Sequence, residues 1–246
     1  MATFQRARSE EQREVRRRAI LDVAMDMLTR MPVSQLTLNE LARQVGLAKS
    51  NVLRYFETRE AVLLDLLDAA VDDWLGELET ALAQVVPAVG KQPERDGDEV
   101  ARAVAAALSG RPVLCDLLSA QAAVLERNVS AQVAARHKRA TLDHVNRFAA
   151  GVLVPLPRLG AAGAAEFAGL ALLSAGALWS SCQPTPAMLE AYAADPGLAR
   201  MRMEFEPALA EVLAVLLTGL LVRGAGEFVP VILQAHADDD GVTENP

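Results

Sequence analysis

Aromatic side chains are scarce in this chain: only 4% of its 246 residues are Phe, Trp or Tyr. Val, Ile and Thr seldom cluster, while Ala is abundant, a balance that disfavours sheets and favours helices. Cysteine is nearly missing. Cys115 and Cys182 are too few for a disulfide framework, suit a reducing compartment and are expected as buried, inert thiols. No Gly-rich phosphate loop and no Ser/His/Asp arrangement can be assigned, so catalysis has no support. His137 and His144 stand seven residues apart rather than four, and no Cys or carboxylate completes a metal set; they read as solvated histidines, and no cofactor or metal is expected. Long apolar runs are missing too. The most membrane-like stretch, Phe167 to Cys182, is 16 uncharged residues dominated by Ala, Gly and Ser, where a spanning helix needs about 20 strongly apolar ones. Met1 to Arg18 is polar and Arg-rich, without the apolar core of a signal peptide. A soluble, cytoplasmic protein without a membrane partner is the expectation.

What is present is a folded composition, 52% hydrophobic and 23% charged, over a length that fits one or two domains. The formal net charge of -8 is unevenly placed. Residues 1–60 hold 11 Lys+Arg against 8 Asp+Glu, a net +3, and the remainder carries -11. A basic end on an acidic body suggests two jobs along one chain, and the acidic body would tend to repel DNA.

Helical periodicity runs through nearly the whole sequence. The first helix is expected to start at a capping box, Ser9 with Gln12, to turn an apolar face of Ala19, Ile20, Val23, Ala24, Met27 and Leu28 inward, and to close at Pro32. Thr37 with Glu40 forms a second capping box, flanked by a Leu36/Leu41 hydrophobic staple; it opens a short helix from Leu38 to Val45 that Gly46 stops. A second short helix is predicted from Lys49 to about Tyr55, then a long one from Thr58 to about Val85. Residues 87–98 read as a loop. Further helices are predicted at 99–109, 112–127, 130–150, 161–181, 187–194 and 204–223, and an acidic tail follows from His236. The fold class is all-α: an N-terminal three-helix helix-turn-helix domain over 1–57, a larger helical ligand-binding and dimerisation domain over 58–235, and the tail over 236–246.

Two short helices joined at a glycine and braced by a longer one make a helix-turn-helix, whose second helix enters the DNA major groove. That helix carries Lys49, Ser50, Asn51, Arg54 and Tyr55 around an inward pair, Val52 and Phe56. Asn suits adenine and Arg suits guanine. Lys49 and Tyr55 suit phosphates, as does Thr37 at a helix start. The spacing alone also occurs in ordinary cores; the upstream arginines, Arg6, Arg8, Arg13, Arg16, Arg17 and Arg18, tilt the balance toward double-stranded DNA.

The ordered residues Thr37-Leu38-Asn39-Glu40-Leu41-Ala42, Gly46 to Phe56 and Arg59-Glu60-Ala61-Val62-Leu63 resemble the TetR (tetracycline-repressor-like) family from about Arg16 to Leu67. The resemblance implies a homodimeric transcriptional regulator, usually a repressor, that binds a pseudo-palindromic operator. It implies phosphate contacts at Thr37, Lys49 and Tyr55, base reading at Ser50, Asn51 and Arg54, and Arg59 in place of the usual Lys near the backbone. Ala48 stands where a Ser cap is common, Ser50 where Gly is frequent, and Leu53 where an aromatic is frequent. The body is then expected to hold a pocket for a small apolar or amphipathic effector, with Trp74, Phe148, Phe167, Trp179 and Tyr192 as candidate linings, each of which also fits an ordinary core. The resemblance makes the last two long helices the expected dimer seam; a monomer core would use the same residues. A helical enzyme lacks a catalytic set, and a helical interaction module leaves the N-terminal arginines unexplained.

Overall fold

A computed structural model describes the backbone of residues 2–85 and 97–223, and the side chains of 11–85 and 97–223. Among the described residues every regular element is helical. In chain order these are α1 (Ala2–Leu28), α2 (Leu38–Val45), α3 (Lys49–Val52), α4 (Arg59–Leu82), α5 (Asp98–Ser109), α6 (Pro112–Ala120), α7 (Ala131–Leu153), α8 (Gly160–Ser181), α9 (Pro186–Ala194), α10 (Pro196–Ala199) and α11 (Phe205–Arg223). Short 3-10 turns at Val33–Gln35, Leu125–Arg127 and Pro157–Leu159 join them. Most of the predicted 87–98 loop and the acidic tail from His236 lie outside the described residues.

The starts follow the capping chemistry. The hydroxyls of Thr37, Thr58 and Ser130 accept from the backbone N–H three residues on, each satisfying an orphan donor of α2, α4 or α7. Gly46 ends α2 in the left-handed region at φ 74°, where a side chain would be strained. Only half of the Thr37/Glu40 box forms, because the Glu40 carboxylate bonds Arg43 and Gln44 instead of reaching back.

Four expectations are corrected. Ser9 is not a start: α1 already runs from Ala2, since Ala2 to Arg8 contains no breaker and the helix simply continues through Ser9. α3 ends at Val52, although turns carry the chain compactly on, with Phe56 N–H donating to the Val52 carbonyl at 3.1 Å. The predicted 112–127 helix breaks after Ala120: the backbone leaves the helical region by Val124, at φ -126° and ψ -56°, and the Gln121 side chain bonds Glu126 at 2.9 Å and His137 at 3.0 Å across the turn. The histidines are not solvated. Both are buried between α4 and α7, His137 bonded to Asp68 at 2.7 Å and His144 to Asp72 at 3.2 Å.

Ile20, Ala24 and Met27 of α1 pack with Leu41, Val52 and Phe56 into the core of the first three helices, which continues unbroken along α4 into the body. In the body α8 packs on α6, α7 and α11, and α11 lies against α5. A Cβ at Gly176 would sit 2.9 Å from the Leu118 carbonyl, so α8 and α6 approach backbone to backbone there. The 16-residue apolar stretch understated α8. Residues Pro157–Ser181 form a 25-residue helical run containing an 18-residue window of mean hydropathy 1.5, and α11 a 19-residue run with such a window at 1.9, both long and apolar enough to cross a membrane by length and composition.

Candidate nucleic-acid interface

The candidate reading surface is built from the inside out. Val52 and Phe56 are buried, and this turns Lys49, Ser50, Asn51 and Arg54 outward together. Ala48 precedes α3 without a side-chain cap, leaving the N–H groups of its first turn without that internal acceptor. Thr37 is exposed beside this surface at the start of α2, although its hydroxyl is already committed to the Glu40 N–H at 3.2 Å. Tyr55 is half-buried and lines a groove of about 960 Å³ together with Arg54 and the α1 residues Gln12, Arg13 and Arg16.

Two of the upstream arginines serve the scaffold. Arg13 donates to the carbonyl of Arg54 at 3.2 Å and Arg17 to that of Tyr55 at 3.5 Å, so α1 closes the carbonyl end of the reading segment. Arg17 also lies over the Phe56 ring, 4.6 Å from its centroid, and pairs with Asp65 of α4. Burial first, then the neighbouring Arg136, pulls the Arg17 pKa below its usual value. Sequence reasoning assigned Arg17 to a general basic patch and missed this role; its signal was the position of Arg17 three residues before Ile20, the first buried residue among the described side chains. Arg16 and Arg18 are exposed.

Arg59 begins α4 as expected, with its side chain engaged within the chain. It is half-buried, donates to the Val33 carbonyl and pairs with Glu60 at 3.4 Å, facing the chain rather than the solvent. The N–H of the same Val33 donates to Asp116 of α6 at 2.6 Å. The turn between α1 and α2 is thereby fastened both to the start of α4 and to the body.

Residues 20–66 match the tetR family of bacterial regulatory proteins, and residues 68–224 match the tetracyclin repressor-like C-terminal domain. The chain belongs to the TetR family. Members are non-enzymatic transcription factors with a helix-turn-helix DNA-binding domain and a C-terminal ligand-binding domain. The HTH-type transcriptional regulator RutR of Escherichia coli K12, and that of Shigella flexneri, are each 30% identical over 128 residues, which cover 48% of this chain and 60% of RutR. Among solved structures, the TetR family repressor AlkX from Dietzia sp. is similar with a TM-score of 0.47 at 17% identity, covering 83% of this chain and 96% of AlkX. The fatty acid degradation regulator FadR from Bacillus halodurans follows at 0.46 and 12%, covering 82% and 97%.

In this TetR-family chain the body joins α4 to its neighbours through ion pairs and histidine–carboxylate hydrogen bonds. Asp65, Asp68, Asp72 and Glu79 meet Arg136, His137, His144 and Arg147 of α7, pairs that advance in the same order along both helices, so α4 and α7 run parallel. On another side Arg111, just before α6, reaches Asp73 at 3.0 Å and Glu77 at 2.5 Å.

The candidate effector residues divide into three groups. Trp74, Phe148 and Phe167 meet edge to face in the buried core, with centroids 5.1 and 5.9 Å apart. Trp179 packs on Phe205 at 5.1 Å and borders a groove against Met31, Pro32 and Asp116, away from that cluster. Tyr192 stands on α9, where no residue is buried. Two buried atoms lack a hydrogen-bond partner within the chain near this core: Trp74 Nε1 and Glu166 Oε2. Glu166 was missed; it is a lone carboxylate in the otherwise small and apolar α8, a pattern visible in the sequence.

Proposed function

We propose that the chain is a homodimeric repressor that reads a pseudo-palindromic operator and releases it when a small apolar or amphipathic molecule enters the body. The observation that carries the DNA half is the outward set Lys49, Ser50, Asn51 and Arg54 on an α3 segment whose inward residues, Val52 and Phe56, are locked into the core. Asn51 and Arg54 read bases; Lys49, Tyr55 and Thr37 hold phosphates. Arg59 fixes the Val33 turn in the unbound chain and would reach a phosphate only by turning outward. The division between the reading and responding parts falls at Thr58, the cap of α4.

Dimerisation is supported by the outer stripes of α8 and α11. Val215, Gly219 and Val222 share one exposed face of α11, and Leu173 and Ala177 one of α8. Stripes this apolar and smooth suit a four-helix seam. They also give the apolarity of α8 and α11 a use other than a bilayer.

The effector reading rests on the Trp74–Phe148–Phe167 cluster and the unpartnered Trp74 Nε1 and Glu166 Oε2, since a buried polar group without a partner costs free energy that a ligand would recover. Entry there would move α4 and alter the roughly 34–36 Å between the paired α3 segments that successive major grooves demand. Gel-shift titration against the promoter of its own gene, at several salt concentrations, tests the DNA half: tight, salt-sensitive, competitor-resistant binding is expected, and none at that promoter or at any genomic fragment refutes it. A thermal-shift screen followed by operator release tests the effector half.

A further inference from the structure

The stretch between α8 and α11 is folded, yet its residues stay exposed to solvent among the described residues. From Thr185 to Glu204 every residue is exposed except the half-buried Tyr192, and neither α9 nor α10 buries a single residue. The local sequence nevertheless specifies helices. Thr185 caps α9 by accepting from Met188 N–H at 3.3 Å, Asp195 caps α10 by accepting from Gly197 N–H at 2.7 Å, and a proline opens each. Helices of 9 and 4 residues fall below the roughly 12–15 that stand alone even in favourable sequences, so they require burial against something. The segment is equipped for it: Met188 and Leu189 on α9, Leu198 on α10, and Met201 and Met203 beyond are all exposed. Methionine adapts to an irregular contact, and exposed apolar groups at this density mark an interaction surface.

We propose that this segment is an arm that packs in trans on a second copy of the chain. The occupant follows from where the arm is rooted. It leaves the end of α8 and enters the start of α11, the two helices whose outer stripes form the proposed dimer seam, so its apolar residues continue that seam beyond the four-helix contact. The inference rests on the homodimer reading and adds to it. The arm clasps the partner's body, so the partner completes the burial that each chain lacks, and α11 of each copy is held at its N-terminal end by a segment lying on the other.

Two measurements on the full-length protein test this. In sedimentation equilibrium M188D/L198D, two substitutions at exposed positions with helical content checked by circular dichroism, is expected to show a dimer dissociation constant raised by about tenfold or more. A photo-crosslinking benzoylphenylalanine at Leu189, in dimers mixed from 14N- and 15N-labelled chains, is expected to give cross-links joining heavy to light chains. A dissociation constant unmoved by the double substitution, or cross-links confined within one chain, overturns the arm while leaving the dimer standing. A wild-type protein that stays monomeric at micromolar concentration overturns the dimer reading and the arm with it.

Discussion

Removing the Asp65 carboxylate should unfasten α1, α4 and α7 at once. Asp65 pairs with Arg17 from α1 and, at 2.6 Å, with Arg136 from α7, and its own side chain is only 10% exposed. The two pairs are not equivalent. Arg17 is 22% exposed and stacked on Phe56, whereas Arg136 is 47% exposed. Breaking a fully buried pair from one side costs about 3–5 kcal/mol, and an exposed pair about 0.2–1 kcal/mol. Discounted for partial exposure, Asp65→Ala should cost about 2–3 kcal/mol, most of it from stranding the Arg17 guanidinium, while Arg136→Ala should cost about 0.5 kcal/mol. Urea denaturation of both variants, of Arg17→Ala and of the Arg17→Ala/Asp65→Ala double variant closes a cycle, in which the double variant should be less destabilised than the sum of the singles by about 1–2 kcal/mol. Operator affinity should fall in Asp65→Ala although Asp65 is not part of the reading surface, because Arg17 also holds the Tyr55 carbonyl. An additive cycle, or a cost for Asp65→Ala no larger than that for Arg136→Ala, would refute the claim that Arg17 and Asp65 work as one unit.

Four further outcomes follow from the same geometry. Asn51→Ala should lose about 1–3 kcal/mol of discrimination between operator and mismatched sites, while Lys49→Ala should weaken all DNA alike and lower the salt slope by about 1, both measured by competition titration. Gly176→Ala should destabilise by about 1–3 kcal/mol in the same denaturation assay, because the new Cβ meets the Leu118 backbone rather than a yielding side chain. Burial pushes the Cys115 thiol up to about 12, so at pH 8 it should alkylate about 10³-fold more slowly than an ordinary thiol of pKa 9, as mass spectrometry of timed quenches would show. On acidification, three carboxylates should lose their contribution. Glu40 is held low by Arg43 and Gln44, Glu79 by Arg147, and Glu126 by Lys138 and Gln121 against the opposing effect of burial. Each lies below its ordinary 4.5, so its stabilisation is present above that value and fades as pH falls beneath it; a melting temperature unchanged between pH 6 and pH 3 would contradict this.

The helices were legible wherever a cap or a glycine wrote their limits into neighbouring residues. Thr37, Gly46 and Thr58 mark their ends in the fold as in the sequence, because capping involves groups three or four positions apart. What escaped was decided over longer distances. The turn after Ala120 accompanies a contact of Gln121 with His137, 16 residues away, and the buried His137 and His144 find their partners in Asp68 and Asp72 across a helix pair. Nothing in the spacing of two histidines states which helix will lie opposite. The outward placement of Lys49, Ser50, Asn51 and Arg54 was legible because Val52 and Phe56 announce the inward side of their segment, whereas the inward turn of Arg59 depends on a carbonyl at Val33, 26 residues earlier.

The parallel pairing of α4 with α7 bears on how a displacement could travel. A rod pinned at one point pivots, whereas a rod bolted at intervals along its length moves only with whatever it is bolted to. The bolts here fall at Asp65, Asp68, Asp72 and Glu79, along more than half of α4. Bending α4 alone would shear these bonds one after another. A stiff two-helix beam, carrying the Val33 turn at one end through Arg59, would on the proposed release mechanism pass a push at Trp74 to the first three helices as one shift.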